Sequence, residues 1–112
     1  MCFTKEKIGK IDIITLSGRL DTNTSEKLND KFDDVCETGS GKTIVLMNDV
    51  DYISSGMIRI LLKSLKKHRA KDGDFQLVGL QPQIMKVMKI AGMDTLFRIF
   101  EDTESAMQEF PK

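Results

Sequence analysis

The first part of the chain changes from residues of alternating polarity to residues whose apolar positions recur every third or fourth residue. An alternating run at 3–7 and a β-rich run at 11–18, joined by a Gly-Lys turn, predict a β-hairpin. Residues 18–23 are polar and turn-like. A helix is predicted to begin at Thr24 or Ser25. Its apolar face has the helical spacing of Leu28, Phe32, Val35 and Cys36.

The rest of the chain continues to alternate predicted strands with predicted helices. In order, these are a strand at 43–48, a helix at 56–70, a strand at 74–80, a helix from Pro82 to a cap at Gly92, a strand at 95–100 and a helix at 103–110. Strands that alternate with helices form mostly parallel sheets with right-handed crossovers. No repeat or linker interrupts the pattern. We therefore predict one α/β domain over 1–112, with about five strands in a mixed, mostly parallel sheet and about four helices.

Size and charge limit the possible functions. A chain of 112 residues is long enough for one apolar core without a metal or disulfide. Its 17 basic and 17 acidic side chains balance, which argues against nucleic acid as a partner, because phosphate binding needs a basic surplus. Nothing in this charge attracts an anionic membrane, and no apolar run has the length of a signal peptide or a membrane span. These features favour a cytoplasmic protein.

The sequence offers little support for catalysis or metal binding. Cys2 and Cys36 lie far apart, with no second ligand at metal spacing, and are expected to be reduced thiols. The TGSGKT run at 38–43 resembles a phosphate-binding loop, but that motif requires strand, loop and helix in this order, whereas here a helix comes first. The only histidine, His68, is predicted to be a charged surface residue near a helix end, roughly 20 Å from the serines that precede that helix. No nucleophile and base are therefore paired.

One stretch, VDYISSGMIRILL at 50–62, places two serines at a corner between a strand and a helix. Serine at this position caps a helix by accepting a hydrogen bond from its first N–H groups, which explains one of the two hydroxyls. In open α/β sheets the loops after the strands are also where ligands and partners bind. A hydroxyl displayed there at a helix N-terminus is a favourable place for a phosphoryl group.

Four motifs together resemble one family over nearly the whole chain. They are GRLDTNT at 18–24, the IVL strand, VDYISSGMIRILL, and LVGLQPQIMKVMKIAGMDTLFRIF at 77–100. The combination is similar to the STAS domain of bacterial anti-sigma factor antagonists. In an ungapped alignment Ser55 falls on the serine that the family's kinase partners phosphorylate, whereas a gapped alignment puts Ser54 there. Gly56, Met57 and Met47 depart from the family pattern, Met47 because an acidic residue commonly follows IVL.

The resemblance implies a partner switch. The unphosphorylated antagonist would bind an anti-sigma factor that is also a serine kinase, and so release the sigma factor. Phosphorylation of Ser55, or alternatively of Ser54, would dissociate the complex, and a serine phosphatase would reverse it. The antagonist itself would be no enzyme, would need no cofactor or metal, and would be a monomer. The residues expected to bind the partner are Asp21, Thr22, Asn23, Asp49, Ile53, Ser54, Gly56, Met57 and Arg59.

Two other readings remain open. The first is a STAS module that binds a partner or serves as a scaffold without phosphorylation, which the departures at Gly56, Met57 and Met47 favour. The second is a small nucleotide-binding phosphotransferase built on TGSGKT. Binding of a nucleotide to the isolated protein would support this last reading, and none is predicted.

Overall fold

A computed structural model describes residues 2–110 of the chain. These residues form five strands and four helices, and strands alternate with helices after an initial hairpin of two strands. They are β1 (Cys2–Ile8), β2 (Ile11–Leu20), α1 (Thr22–Thr38), β3 (Lys42–Ile53), α2 (Ser55–Ala70), β4 (Asp74–Val78), α3 (Pro82–Ile90), β5 (Ile99–Phe100) and α4 (Thr103–Gln108). A short 3-10 turn, Met93–Thr95, lies between α3 and β5.

The strands form one sheet in the order β1-β2-β3-β4-β5. Within residues 2–110 only the β1–β2 hairpin is antiparallel, and the other neighbouring pairs are parallel. A parallel pair needs a crossover, which α1, α2 and α3 supply. The predicted α/β fold, with a mixed and mostly parallel sheet of five strands and four helices, is confirmed.

Apolar side chains form a large core on one face of the sheet and a smaller core on the other. The large core lies beneath α1, α2 and α3 and includes Phe32 and Phe75, whose rings meet edge to face at 6.0 Å. The small core lies beneath α4 and contains Ile13, Ile44, Val78, Ala106 and Phe110. Among the described residues, α4 is the one helix that covers this second face, and it packs against β3, β4 and β5.

The two longest strands extend beyond their predicted ends. β2 continues to Leu20 instead of turning after Gly18, and β3 continues to Ile53. Two irregularities in the β2–β3 register make this possible, and at the second of them Gly18 has a φ of +88°. Glycine adopts this left-handed conformation without strain, so the strand bends and continues where a turn was expected.

Capping explains why α1 begins earlier than predicted. The Oδ1 atom of Asp21 accepts a hydrogen bond from the N–H of Thr24 at 2.9 Å, so the helix starts at Thr22 rather than at Thr24 or Ser25. Aspartate is a strong N-cap because its carboxylate satisfies an N–H that has no partner within the helix. The helix ends at Thr38, before the Gly-Ser-Gly sequence that was expected to stop it.

The last elements are shorter than predicted. The strand expected at 95–100 is reduced to Ile99 and Phe100, which pair with Leu77 and Val78. Part of the apolar run that suggested a longer strand instead packs Phe97 into the large core. β4 likewise ends at Val78, and α4 ends at Gln108 rather than at residue 110.

The prediction that His68 is a charged surface residue is wrong. Its side chain is only 1% exposed and lies between α2 and the sheet. The Nδ1–H donates to the carbonyl of Ser64 at 2.8 Å, so Nε2 is free to accept from the Thr43 hydroxyl at 2.7 Å. Burial lowers the pKa of His68 because desolvation disfavours the imidazolium. The residue is a neutral part of the core.

Candidate functional site

The two serines at the corner between β3 and α2 have different environments. Ser54 is 7% exposed and is the N-cap of α2, where its Oγ accepts from the N–H of Met57 at 3.2 Å. Its own N–H donates to the carbonyl of Leu20 at 2.8 Å, which joins the start of α2 to the end of β2. The hydroxyl and backbone of Ser54 are therefore both used by the fold.

Ser55, the first residue of α2, is exposed. Within residues 2–110 its hydroxyl has no hydrogen-bond partner, in contrast to that of Ser54. Because no packing or capping requirement accounts for this hydroxyl, it is accessible to a second protein. The corner thus combines a structural serine with an adjacent, available one.

The end of β2 borders the serines directly. Leu20 and Ile53 are register partners, so the turn that begins at Asp21 lies beside the start of α2. The Thr24 backbone N–H that Asp21 caps holds the pKa of this carboxyl below its usual range, so it is ionised at neutral pH. Thr22 and Asn23, the first two residues of α1, are exposed next to it. Asp21, Thr22 and Asn23 thus follow the end of β2 that lies beside the start of α2.

A groove of about 370 Å³ runs between α1 and α2 below the serines. Arg59, which is exposed, lines it opposite α1. Gly56 lies close to α1, since a Cβ added there would be 3.1 Å from the Oγ of Ser25. That Oγ in turn donates to the carbonyl of Thr22 at 2.8 Å. The glycine that departs from the family pattern therefore fits close helix packing.

Three more of the predicted residues lie on β3 and α2 at different depths. Asp49 is exposed on the extended part of β3, whereas Ile53 and Met57 are buried in the large core. Met47, where the family commonly has an acidic residue, is also buried there. Ile53 and Met57 support the corner from beneath, whereas Asp49 lies further back along β3, opposite Ser17.

Two residues of the corner were missing from the predicted site. Arg19 and Tyr52 are register partners on β2 and β3, and the guanidinium carbon of Arg19 lies 3.8 Å from the centre of the Tyr52 ring. The Nε of Arg19 is also 3.9 Å from Oδ2 of Asp21. Both residues stand in the quoted motifs, but only the strand register shows that they meet.

The TGSGKT sequence is part of the fold's own connections. Its first glycine caps the end of α1, and the backbone N–H of Ser40 donates to Oδ2 of the buried Asp12 at 3.1 Å. The chain then enters β3, so no helix N-terminus faces the loop. The order is thus helix, loop, strand, whereas a phosphate-binding loop requires strand, loop, helix.

Residues 2–110 contain neither a candidate metal centre nor a candidate membrane span. No group of three or more His, Cys, Asp and Glu side chains in this range could hold a metal ion. No helix of the described chain combines the length and the apolar composition needed to cross a membrane.

Comparison with known proteins identifies the class to which this fold and corner belong. The model of the STAS domain matches residues 3–106, and the chain belongs to this family. It is 27% identical over 110 residues to the "putative anti-sigma factor antagonist BtrV" of Bordetella bronchiseptica, a match that covers 98% of this chain and 95% of that protein.

Solved structures agree with the fold. The crystal structure of a "putative anti-sigma factor antagonist" from Thermotoga maritima superposes with a TM-score of 0.91 at 21% identity, covering 98% of this chain and 95% of that one. The Bacillus cell fate determinant SpoIIAA in its phosphorylated form gives a TM-score of 0.75 at 19% identity, covering 96% of this chain and 97% of that one. At these identities the solved structures establish the architecture of the chain alone.

Proposed function

We propose that this protein is an anti-sigma factor antagonist controlled by phosphorylation of Ser55. In the unphosphorylated form it binds an anti-sigma factor that is also a serine kinase, and the sigma factor is released. The kinase then transfers the γ-phosphoryl group of ATP to the Ser55 hydroxyl, leaving ADP, and a serine phosphatase later hydrolyses the phosphoserine. The protein acts as binding partner and substrate, in the cytoplasm and as a monomer, and performs no catalysis itself.

One observation carries this proposal: the corner of this STAS domain exposes a serine, Ser55, whose hydroxyl has no hydrogen-bond partner within residues 2–110. Ser55 is exposed, while Ser54 beside it is buried and caps α2. A kinase must reach the oxygen that it modifies, and Ser55 meets that requirement without any change in the domain. The relatives that are named anti-sigma factor antagonists make an anti-sigma factor the expected partner.

The surface around Ser55 supplies a physical reason for dissociation. A phosphoserine carries about −1.5 to −2 charges at neutral pH. Asp21 already places negative charge beside Ser55, so a partner seated there would enclose like charges away from water. A loss of ~2.7 kcal/mol in binding free energy weakens a complex about a hundredfold. One covalent change can therefore separate the partners while the fold is preserved.

The proposed partner-binding surface combines exposed and half-buried residues on the Ser55 side of the domain. Its members are Asp21, Thr22, Asn23, Asp49, Gly56 and Arg59, with Ser54, Ile53 and Met57 supporting them from below. Arg59 lies one helical turn after Ser55 on α2, so a partner that covers Ser55 also contacts its guanidinium.

The direct test is phosphorylation of the purified protein. We expect one of the anti-sigma factor kinases from the same cells to transfer phosphate from ATP to the peptide covering residues 50–63, with fragment masses that place it on Ser55. Ser54→Ala should still accept phosphate and Ser55→Ala should not. Phosphate on Ser54 in the wild type would retain the switch and correct its position. Wild-type protein that no such kinase binds or modifies would contradict the proposal.

Binding measurements provide the second half of the test. Ser55→Asp should lose affinity for the kinase, and Ser55→Ala should keep it and remain bound in the presence of ATP. Both variants should unfold at nearly the wild-type temperature, because the Ser55 hydroxyl has no hydrogen-bond partner within residues 2–110. If Ser55→Asp lost binding only by unfolding, the serine would be structural and the switch would lose its support.

The second candidate is a STAS module that binds its partner without phosphorylation. The buried Met47 favours it, because the position where related switches commonly carry an acid is here part of the apolar core. Under this hypothesis the protein isolated from its own cells, with phosphatases inhibited, would be unmodified under every growth condition. The kinase would also bind Ser55→Asp as tightly as the wild type.

A further inference from the structure

Arg19 and Tyr52 form an exposed stacked pair at the edge of the proposed partner-binding surface. The guanidinium carbon lies 3.8 Å from the ring centre, the Arg19 side chain is 63% exposed and Tyr52 is 40% exposed. A cation–π contact between exposed side chains is weak, so it adds little to the stability of the domain. Tyr52 is also the only tyrosine of the chain.

The fold directs this pair away from both cores. Leu20 and Ile53, the next residue on each strand, are buried in the large core beneath the helices. Arg19 and Tyr52 themselves are exposed and belong to neither core. The register irregularity between Gly18 and Arg19 falls at this place, and such bulges reorient the side chains beside them.

The arrangement of the guanidinium leaves hydrogen-bond donors available. The Nε atom of Arg19 lies 3.9 Å from Oδ2 of Asp21, and the guanidinium carbon lies over the Tyr52 ring. Within residues 2–110 the two Nη groups have no hydrogen bond or ion pair. Because the ring and Asp21 already restrict the side chain, a partner that binds it loses little conformational entropy. A planar guanidinium with free Nη groups matches a carboxylate through two parallel hydrogen bonds.

We propose that Arg19 and Tyr52 anchor the anti-sigma factor: a carboxylate of the partner binds the Nη groups of Arg19, and an apolar side chain packs on the exposed part of the Tyr52 ring. This inference rests on the proposed function, because the partner is the same protein. The pair is continuous with the serines, since the N–H of Ser54 donates to the carbonyl of Leu20, the neighbour of Arg19. An interface of ordinary size, about 800 Å² on each partner, that includes Ser55 also reaches this pair.

The anchor would divide the work of the interface into two parts. Tyrosine and arginine are the residue types enriched among those that dominate binding energy, so this pair supplies affinity. Ser55 supplies control, because only its charge changes. The kinase could then hold its substrate by the anchor while the phosphoryl group is transferred, and the new charge at Ser55 would afterwards release it.

The test measures the affinity of the unphosphorylated protein for the purified kinase by calorimetry. We expect Tyr52→Ala and Arg19→Ala each to bind at least tenfold more weakly than the wild type. The double variant should bind more tightly than the two losses added together predict, because the two side chains act as one unit. Tyr52→Phe keeps the ring and should retain wild-type affinity. Ile8→Ala is the matched control, since Ile8 is 44% exposed at the other end of the hairpin.

The outcomes separate the anchor from the switch. If Tyr52→Ala and Arg19→Ala bind within twofold of the wild type while Ser55→Asp fails to bind, the anchor is wrong and the switch stands. If the wild type binds no kinase, both proposals are overturned. Thermal unfolding of each variant excludes a general loss of structure. Should Tyr52→Ala unfold, Arg19→Gln decides the question, because its side chain is mostly in solvent.

Discussion

The different environments of Ser54 and Ser55 predict opposite consequences for the same chemical change. Replacing either serine with alanine deletes one hydroxyl and leaves the backbone intact. In Ser54→Ala the N–H of Met57 loses its acceptor, the Ser54 Oγ at 3.2 Å. Ser54 is only 7% exposed, so little water is available to replace that oxygen. In Ser55→Ala no hydrogen bond within the described residues is lost. The pair of variants therefore isolates the cap from the exposed hydroxyl.

The size of the effect follows from the capping contact. Removing a serine N-cap costs about 1 kcal/mol, within a range of roughly 0.5–2 kcal/mol. The two backbone hydrogen bonds of Ser54, to Leu20 and from Ile58, remain, so the loss is confined to the side chain. For a domain of this size the loss corresponds to a melting temperature lowered by roughly 3–6 °C. Ser55→Ala should change the free energy of unfolding by less than about 0.5 kcal/mol.

Urea denaturation followed by circular dichroism measures both values under one condition. Ser54→Asp serves as the rescue, because a carboxylate at the N-cap accepts the same hydrogen bond and should restore most of the lost stability. The assignment would be refuted if Ser55→Ala were the less stable variant, or if Ser54→Ala matched the wild type. Phosphorylation gives an independent readout, since Ser54→Ala should remain a substrate once it is folded.

Two further predictions concern stability away from the corner. Burial holds the pKa of His68 below 6.5, whereas the unfolded chain binds a proton near that value, so the free energy of unfolding should be constant above about pH 6.5 and decrease below it. His68→Gln should remove this decrease. If urea titrations gave the same dependence of the free energy of unfolding on pH for His68→Gln and the wild type, the buried, neutral histidine would be contradicted. A Cβ on Gly73 would lie 1.8 Å from the carbonyl oxygen of Gly41, so Gly73→Ala should destabilise the domain by roughly 3 kcal/mol, measured by thermal unfolding. Gly9→Ala is its control, because only the φ of +61° and no neighbouring atom opposes it, and its cost should be nearer 1 kcal/mol; equal losses would contradict the contact.

Hydrophobic periodicity predicted the order of elements because most segments bury one face. The apolar face of α1, from Leu28 to Cys36, is buried as its spacing required, and the hairpin has the predicted turn. The errors fall where tertiary contacts override a local pattern. β2 crosses the polar stretch after Gly18 because its residues pair with β3, and most of the run at 95–100 is not a strand because Phe97 is needed in the core.

The candidate site was only partly predictable for a different reason. The serines, Asp21 and Arg59 stand in recognisable motifs, and the turn after β2 was expected near them. The contact between Arg19 and Tyr52 depends on the register of two parallel strands, which two irregularities shift. His68 is the converse case: its position near a helix end suggested exposure, and only the packing of α2 on Thr43 shows that it is buried.

Ser54 caps α2 and Ser55 is exposed, and this difference decides where a small domain can accept a phosphoryl group without losing stability. A phosphoryl group on Ser55 is added to an exposed hydroxyl, so no contact of the folded chain has to break. The same group on Ser54 would have to fit at a buried N-cap, between Met57 and the end of β2. Most domains have a free energy of unfolding of only about 5–15 kcal/mol, so modification at the cap would remove a substantial part of the domain's stability. Modification of Ser55 instead places the whole cost on the interface, where a change in affinity is the signal.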